Sequence, residues 1–180
     1  YRYSVAPKKQ FKKSAAFVLF LAIGSIFSAF YYQMFLSMNV FNDRLVNHIL
    51  FGHDIPTQLF LIINNITVIA LSVSVSSALS RLRDANKFIL GMFLSCFVFV
   101  IINFGLNNTP ASMLIPAYWV IIAYVVLSCA EVCIKPIGMS LATRLAPEGR
   151  HGFFMGLWLL TYGIGGYLAG LIAQFAAIPK

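Results

Sequence analysis

Residues 129–140 read CAEVCIKPIGMS, and this short stretch holds an acid, a base and a helix breaker: Glu131, Lys135 and Pro136, with Gly138 just beyond. They lie inside an apolar run from about Pro116 to Thr143. A charge at the centre of a bilayer costs on the order of 3 kcal/mol, so an ionisable residue there faces a bundle interior or a watery cavity and marks a functional site. An acid placed before a base at i,i+4 is the favourable order for an intrahelical pair, and that spacing sets them about 6 Å apart along a helix axis. Two readings follow. The pair neutralises itself and is structural, or Glu131 receives a substrate ammonium group or a proton while Lys135 serves as its counter-ion in the empty site. An apolar pair is often as stable as a buried ion pair, which favours the functional reading. Pro136 lacks a backbone N–H and leaves the Val132 carbonyl without its helical donor, so a hinge is expected at Pro136 and Gly138.

Tyr124, Ser128, Glu131, Lys135 and Gly138 recur at helical spacing and form one face. An earlier apolar run carries Asn64 and Asn65, which either bond neighbouring helices or meet a ligand. In the last run Trp158, Tyr162 and Gly165 share a face. Gly152/Gly156 and Gly166/Gly170 are G-x-x-x-G spacings, which predict close helix approach. Tyr31 and Tyr32, at the end of the first run, read as interfacial anchors. His48 and His53 match no helical metal motif and read as surface residues. Cys96, Cys129 and Cys133 lie in apolar runs and read as small buried hydrophobes, without a disulfide framework or a zinc site.

The elements that must position these residues are membrane helices. The chain is 60% hydrophobic and 10% charged, whereas a soluble domain is about a quarter charged, and its mean hydropathy is +0.85. Five runs, about 14–36, 57–79, 88–106, 116–143 and 153–176, are long enough to span, since a crossing takes roughly 20 helical residues. Barrel strands are about half that length and alternate in polarity, which these runs do not. The expected class is an all-α integral membrane protein with five transmembrane helices. The connector 37–56 is longer than a turn and is expected to contain a short amphipathic piece.

Lys+Arg number 13 against 5 Asp+Glu. A basic excess can indicate nucleic acid, but here the bases sit in short connectors. Arg2, Lys8, Lys9, Lys12, Lys13, Arg81, Arg83, Lys87, Arg144 and Arg150 fall on one side, and Arg44 and Lys180 on the other. By the positive-inside rule the N-terminus is cytoplasmic, and no nucleic-acid partner is expected. The basic N-terminal stretch does not match a signal peptide, because the apolar run after it is too long. The chain begins at Tyr1 and reads as a fragment of a longer protein.

Laid end to end, four stretches resemble the proton-dependent oligopeptide transporter (POT/PTR) family of the major facilitator superfamily, in its C-terminal half. YQMFLSMNVFNDRLVNHILFGHDIPTQLF is similar to the end of the seventh helix and the loop after it. NNITVIALSVSVSSALSRL resembles the eighth helix. AEVCIKPIGMSLATRLAP resembles the tenth-helix pattern of Glu, Ser-Pro-x-Gly-Leu-Ser and Ala-Pro, and FFMGLWLLTYGIGG the eleventh-helix Met-Gly-x-Trp-Phe-Leu motif.

The resemblance implies helices seven to eleven of a symporter of di- and tripeptides working by alternating access. The proton gradient is its energy source, and no cofactor is implied. Asn64 and Glu131 would hold the peptide amino terminus and Trp158 would line the peptide pocket. Glu131 and Lys135 would carry proton and charge coupling. The implied partners are a small peptide or related solute, protons, the lipid bilayer, and the missing N-terminal six-helix half and twelfth helix. The implied location is a bacterial inner membrane.

The chain departs from the pattern at several positions. Tyr32 stands where the family has an acid, Ser28 where it has Trp, Asn65 where it has Pro, and Lys135 where it has Ser. Lys135 opens an alternative, a carrier of the same fold for an anionic or amino-acid-like solute. A non-transporting membrane scaffold is a further one. No motif for catalysis or for a metal is read in the chain, so no enzyme is expected.

Overall fold

A computed structural model describes residues 7–50, 52–110 and 113–175, with the side chains of residues 7–14, 50 and 76 left aside. Arg2 and Lys180, and the side chains of Lys8, Lys9, Lys12 and Lys13, all counted in the charge asymmetry, therefore lie outside the described residues. The elements run α1 (Pro7–Gln33), α2 (Ser37–Leu45), β1 (Val46–Asn47), β2 (Ile49–Leu50), β3 (His53–Asp54), α3 (Gln58–Ala78), α4 (Asp84–Asn107), β4 (Ile115–Pro116), α5 (Ala117–Leu145) and α6 (His151–Phe175). Helices α1, α3, α4, α5 and α6 are the five membrane-length spans that the apolar runs predict. The α1 backbone is helical from Pro7, several residues ahead of the predicted start.

The helix ends follow local rules. Asp84 opens α4, where a carboxylate meets the positive end of the helix dipole. Ala146 precedes Pro147 and is driven into an extended conformation (φ −67°, ψ 140°), which stops α5. Gly149 follows at φ 78°, and the Arg150 N–H closes the turn on the Pro147 carbonyl at 3.1 Å. A residue at that position needs the left-handed region, which glycine enters without cost.

The long connector holds α2, the short helix predicted there, and two small strand pairings. β1 lies parallel to β4 and β2 antiparallel to β3. Val46 and Ile115, opposite each other in the first pairing, are both buried and pin the connector to the start of α5.

Helix α5 is the centre of the bundle and packs on α4, α3 and α6. Its membrane window is 56% buried against 11% for α3, whose Ile62, Ile66, Ile69 and Val73 face outward. The α1–α6 contact is close because Gly165 leaves no room for a side chain against Ser28. The predicted G-x-x-x-G sites do not make this contact. Gly152, Gly156 and Gly170 have open space where a Cβ would stand, and Gly166 meets only the Tyr32 ring at an ordinary 3.7 Å. The cysteines also differ from expectation. All three are free thiols, but only Cys133 is buried, Cys129 is half-buried and Cys96 is exposed on the outside of α4.

Candidate functional site

The interior of the bundle gathers four polar side chains from three helices. Glu131 and Lys135 come from α5, Asn64 from α3 and Tyr31 from α1. Glu131 is only 7% exposed, and both its oxygens are engaged. Oε1 accepts from the Lys135 ammonium and from the Tyr31 hydroxyl at 3.3 Å. Oε2 accepts from Asn64 Nδ2 at 3.3 Å. Lys135 Nζ also donates to Tyr31 Oη at 3.3 Å and stands 4.4 Å above the centre of the Tyr31 ring, a cation–π position. The i,i+4 pair expected from spacing is therefore present, and it is the hub of a larger network.

Ser128, one turn earlier on α5, orients Asn64. Its hydroxyl lies 2.9 Å from Asn64 Oδ1, 3.1 Å from the Asn64 carbonyl and 2.8 Å from the Tyr124 carbonyl. With Oδ1 held this way, the Asn64 amide presents its NH₂ to the carboxylate. Tyr124 belongs to a separate arm. Its hydroxyl accepts from Asn42 Nδ2 at 3.3 Å, and Asn42 is fully buried at the end of α2. His48, expected at the surface, is half-buried because its Nε2 bonds the Asn42 carbonyl at 2.8 Å. Asn65 points away from the bundle, so Asn64 alone of the asparagine pair joins the site.

The acid is buried, but the base is not. The Lys135 side chain is 36% exposed and enters a cleft of about 360 Å³ between α3 and α5. Ser72 and Val75 of α3, Val132 and Pro136 of α5 and Lys87 of α4 also line it. Helix α5 runs unbroken through Pro136. Val132, whose carbonyl loses its donor to Pro136, thus sits in the cleft wall. Among the described residues, no group of three His, Cys, Asp or Glu side chains could hold a metal ion. The arrangement suits ligand charge. The Glu131 carboxylate, held in place by the Asn64 amide, can receive an ammonium group, and Lys135 can receive an acid.

Trp158 does not reach this cleft. Its side chain is fully buried, stacked on Phe20 at 4.5 Å and edge-on to Phe88 and Tyr162. Gly138 allows this packing: the indole lies against its Cα, where a Cβ would collide with the ring. The Gly138 position expected for a hinge is thus a close-packing point. At the bundle end that holds the starts of α4 and α6, Arg144 donates to Asp84 at 2.7 Å, and Lys87 lies 3.8 Å from the same carboxylate.

Tyr31, which the sequence suggests is an interfacial anchor, belongs instead to this interior network. It is 8% exposed and bridges both charges. A signal exists in the α1 spacing. Phe17, Phe20, Gly24, Phe27 and Tyr31 form one stripe at alternating three- and four-residue steps, and all are buried.

A family model described as "PTR2: POT family" matches residues 3–180. A dipeptide and tripeptide permease A of Chromobacterium violaceum is 28% identical over 172 residues, which are 93% of this chain and 35% of that protein. The protein of the same name from Citrobacter koseri is 30% identical over 170 residues, 90% of this chain and 34% of the relative. The chain thus spans about a third of the length of the curated relatives it matches. A crystal structure of a POT family transporter in complex with 5-aminolevulinic acid superposes with a TM-score of 0.83 at 23% identity, covering 97% of this chain and 37% of the other. At that identity the likeness shows a shared fold.

Proposed function

Because the chain belongs to the POT family, we propose that it supplies five transmembrane helices of a symporter that carries di- and tripeptides across a membrane with protons. The observation that carries the reading is Glu131, a buried carboxylate inside a span, hydrogen-bonded by Asn64 and Tyr31 beside an open cleft. Such a group is costly in a membrane unless it serves a ligand or ion. In this reading Glu131 with Asn64 receives the peptide ammonium. The site lies between two halves that rock to open it to alternate sides. The five spans are read as the seventh to eleventh. The other six-helix half and a twelfth helix complete the carrier, in keeping with the third of the relatives' length that the chain spans. The proton gradient supplies the energy, without a cofactor. The family is one of transporters, which supports a carrier and not an enzyme. The basic asymmetry supports a cytoplasmic N-terminus, and the bacterial relatives support a bacterial inner membrane.

The test is uptake of a labelled dipeptide by the complete protein in proteoliposomes, with and without an imposed inward proton gradient. Accumulation that collapses on adding a protonophore is the expected result. Equal uptake with and without the gradient removes proton coupling, and no uptake removes the peptide. One observation favours a second reading. Lys135 projects a cation into the cleft, which suits an anionic or amino-acid-like solute. Competition by such solutes, without competition by dipeptides, would put that reading first.

A further inference from the structure

We propose that the outward face of α4 and the basic turn before it form a seat for an anionic phospholipid, with Arg81 and Arg83 holding the phosphate and the aromatic stripe of α4 holding an acyl chain. The inference is independent of the substrate read for Glu131. Arg81 and Arg83 lie in the turn between α3 and α4, and both are exposed. Neither side chain has a hydrogen bond or an ion pair among the described residues. Asp84, the acid next to them in sequence, is already engaged by Arg144 at 2.7 Å and has Lys87 at 3.8 Å. Two guanidinium groups thus stand at the edge of a span without an anion, and their planar forks of N–H donors fit a phosphate.

The helix below them is apolar on its outer side. Asn86, Ile89, Phe93, Phe97, Val100 and Phe104 recur at three- and four-residue steps, which aligns them along one side of α4. All of them are exposed. From Ile89 to Val100 the exposed face carries no hydroxyl, amide or charge. The exposed face of α3 differs, because Asn65, Ser74 and Ser77 interrupt its isoleucines. Such groups bond neighbouring helices within a membrane. This contrast suits a helix neighbour for α3 and acyl chains for α4.

The chemistry of the headgroup follows from the two unpaired cations. A zwitterionic lipid carries its own cation beside the phosphate, which competes with the arginines. An anionic headgroup does not. Each base near a membrane surface favours an anionic lipid by about fivefold. The arginines also help to orient the spans, but orientation alone requires no particular lipid at α4.

The experiment reconstitutes the complete protein in vesicles of equal phosphatidylglycerol and phosphatidylcholine, extracts it in mild detergent and measures the retained phospholipid by mass spectrometry. The readout is the ratio of phosphatidylglycerol to phosphatidylcholine carried per protein. The wild type is expected to be enriched in phosphatidylglycerol by at least about tenfold. Arg81→Gln combined with Arg83→Gln is expected to lose at least about fivefold of that enrichment. Asn86→Glu leaves both arginines in place and sets a carboxylate on the stripe beside them. Acidic residues weigh little in topology, and this variant is expected to lose a similar factor. It decides alone if the arginine variant fails to insert. Arg150→Gln, on the connector before α6, is expected to change the ratio by less than about twofold. A wild-type ratio near one overturns the proposal and leaves the α4 face to another helix or to lipid of any charge. Equal enrichment in the wild type and Asn86→Glu overturns it too. A loss in Arg150→Gln as large as that in the arginine pair overturns the seat in favour of a general basic surface.

Discussion

Glu131 is held by an ammonium, a phenol and an amide from three helices, and the sequence announces only some of these partners. The pair with Lys135 follows from the i,i+4 spacing, because one helix fixes both side chains. The bond from Asn64 to Glu131 joins two helices, and Ser128 orients the amide for it. Tyr31 depends on the rotation of α1 against α5, which residue spacing within α5 does not specify. The packing of Trp158 depends on other helices in the same way. Whether a tryptophan inside a span lines a pocket or fills a core depends on the small residues opposite, and here those are Gly24 and Gly138 on other helices. Gly138→Ala is expected to lower the stability of the complete protein by about 1–3 kcal/mol through overpacking against the indole. Trp158→Phe, which removes the colliding atoms, should be coupled to it. The double variant is expected to be less destabilised than the sum of the two singles by about 1 kcal/mol. Thermal or chemical unfolding in detergent measures the cycle, and strict additivity would show that the two residues do not share this contact.

At the scale of elements the spans were legible. A run of apolar residues long enough to cross a bilayer has few other folded states in lipid, where every backbone polar group must bond within its own helix. The boundaries shifted where local chemistry extends a helix, as at Asp84, which starts α4 a turn earlier than the apolar run. Helix pairing was less legible. The G-x-x-x-G spacings predict close contact, but only the partner helix determines which glycines are used. The structure uses Gly165 on α6 against Ser28 and the backbone at Ala29, and leaves Gly152 and Gly156 in open space. Gly165→Val is accordingly expected to destabilise the α1–α6 contact by about 2 kcal/mol or more. Gly156→Ala should change stability by less than about 1 kcal/mol. Unfolding of the two variants side by side checks this, and equal losses would contradict the packing described.

For the whole molecule, the distribution of burial points outward from the chain. Helix α5 is enclosed by its neighbours, while α3 buries little and presents Ile62, Ile66, Ile69 and Val73 to its surroundings. The cleft with Glu131 and Lys135 lies between these two helices, beside the least covered part of the bundle. That placement fits the proposal that further helices complete the site. The central claim is that Glu131 receives the substrate ammonium, and uptake of a labelled dipeptide by the complete carrier, wild type against Glu131→Gln at matched membrane amounts, tests it most directly. The Gln side chain keeps the shape and removes the charge, and charge-assisted hydrogen bonds contribute about 1.5–3 kcal/mol each. The account predicts that uptake falls by at least about tenfold. Uptake equal to that of the wild type would contradict it.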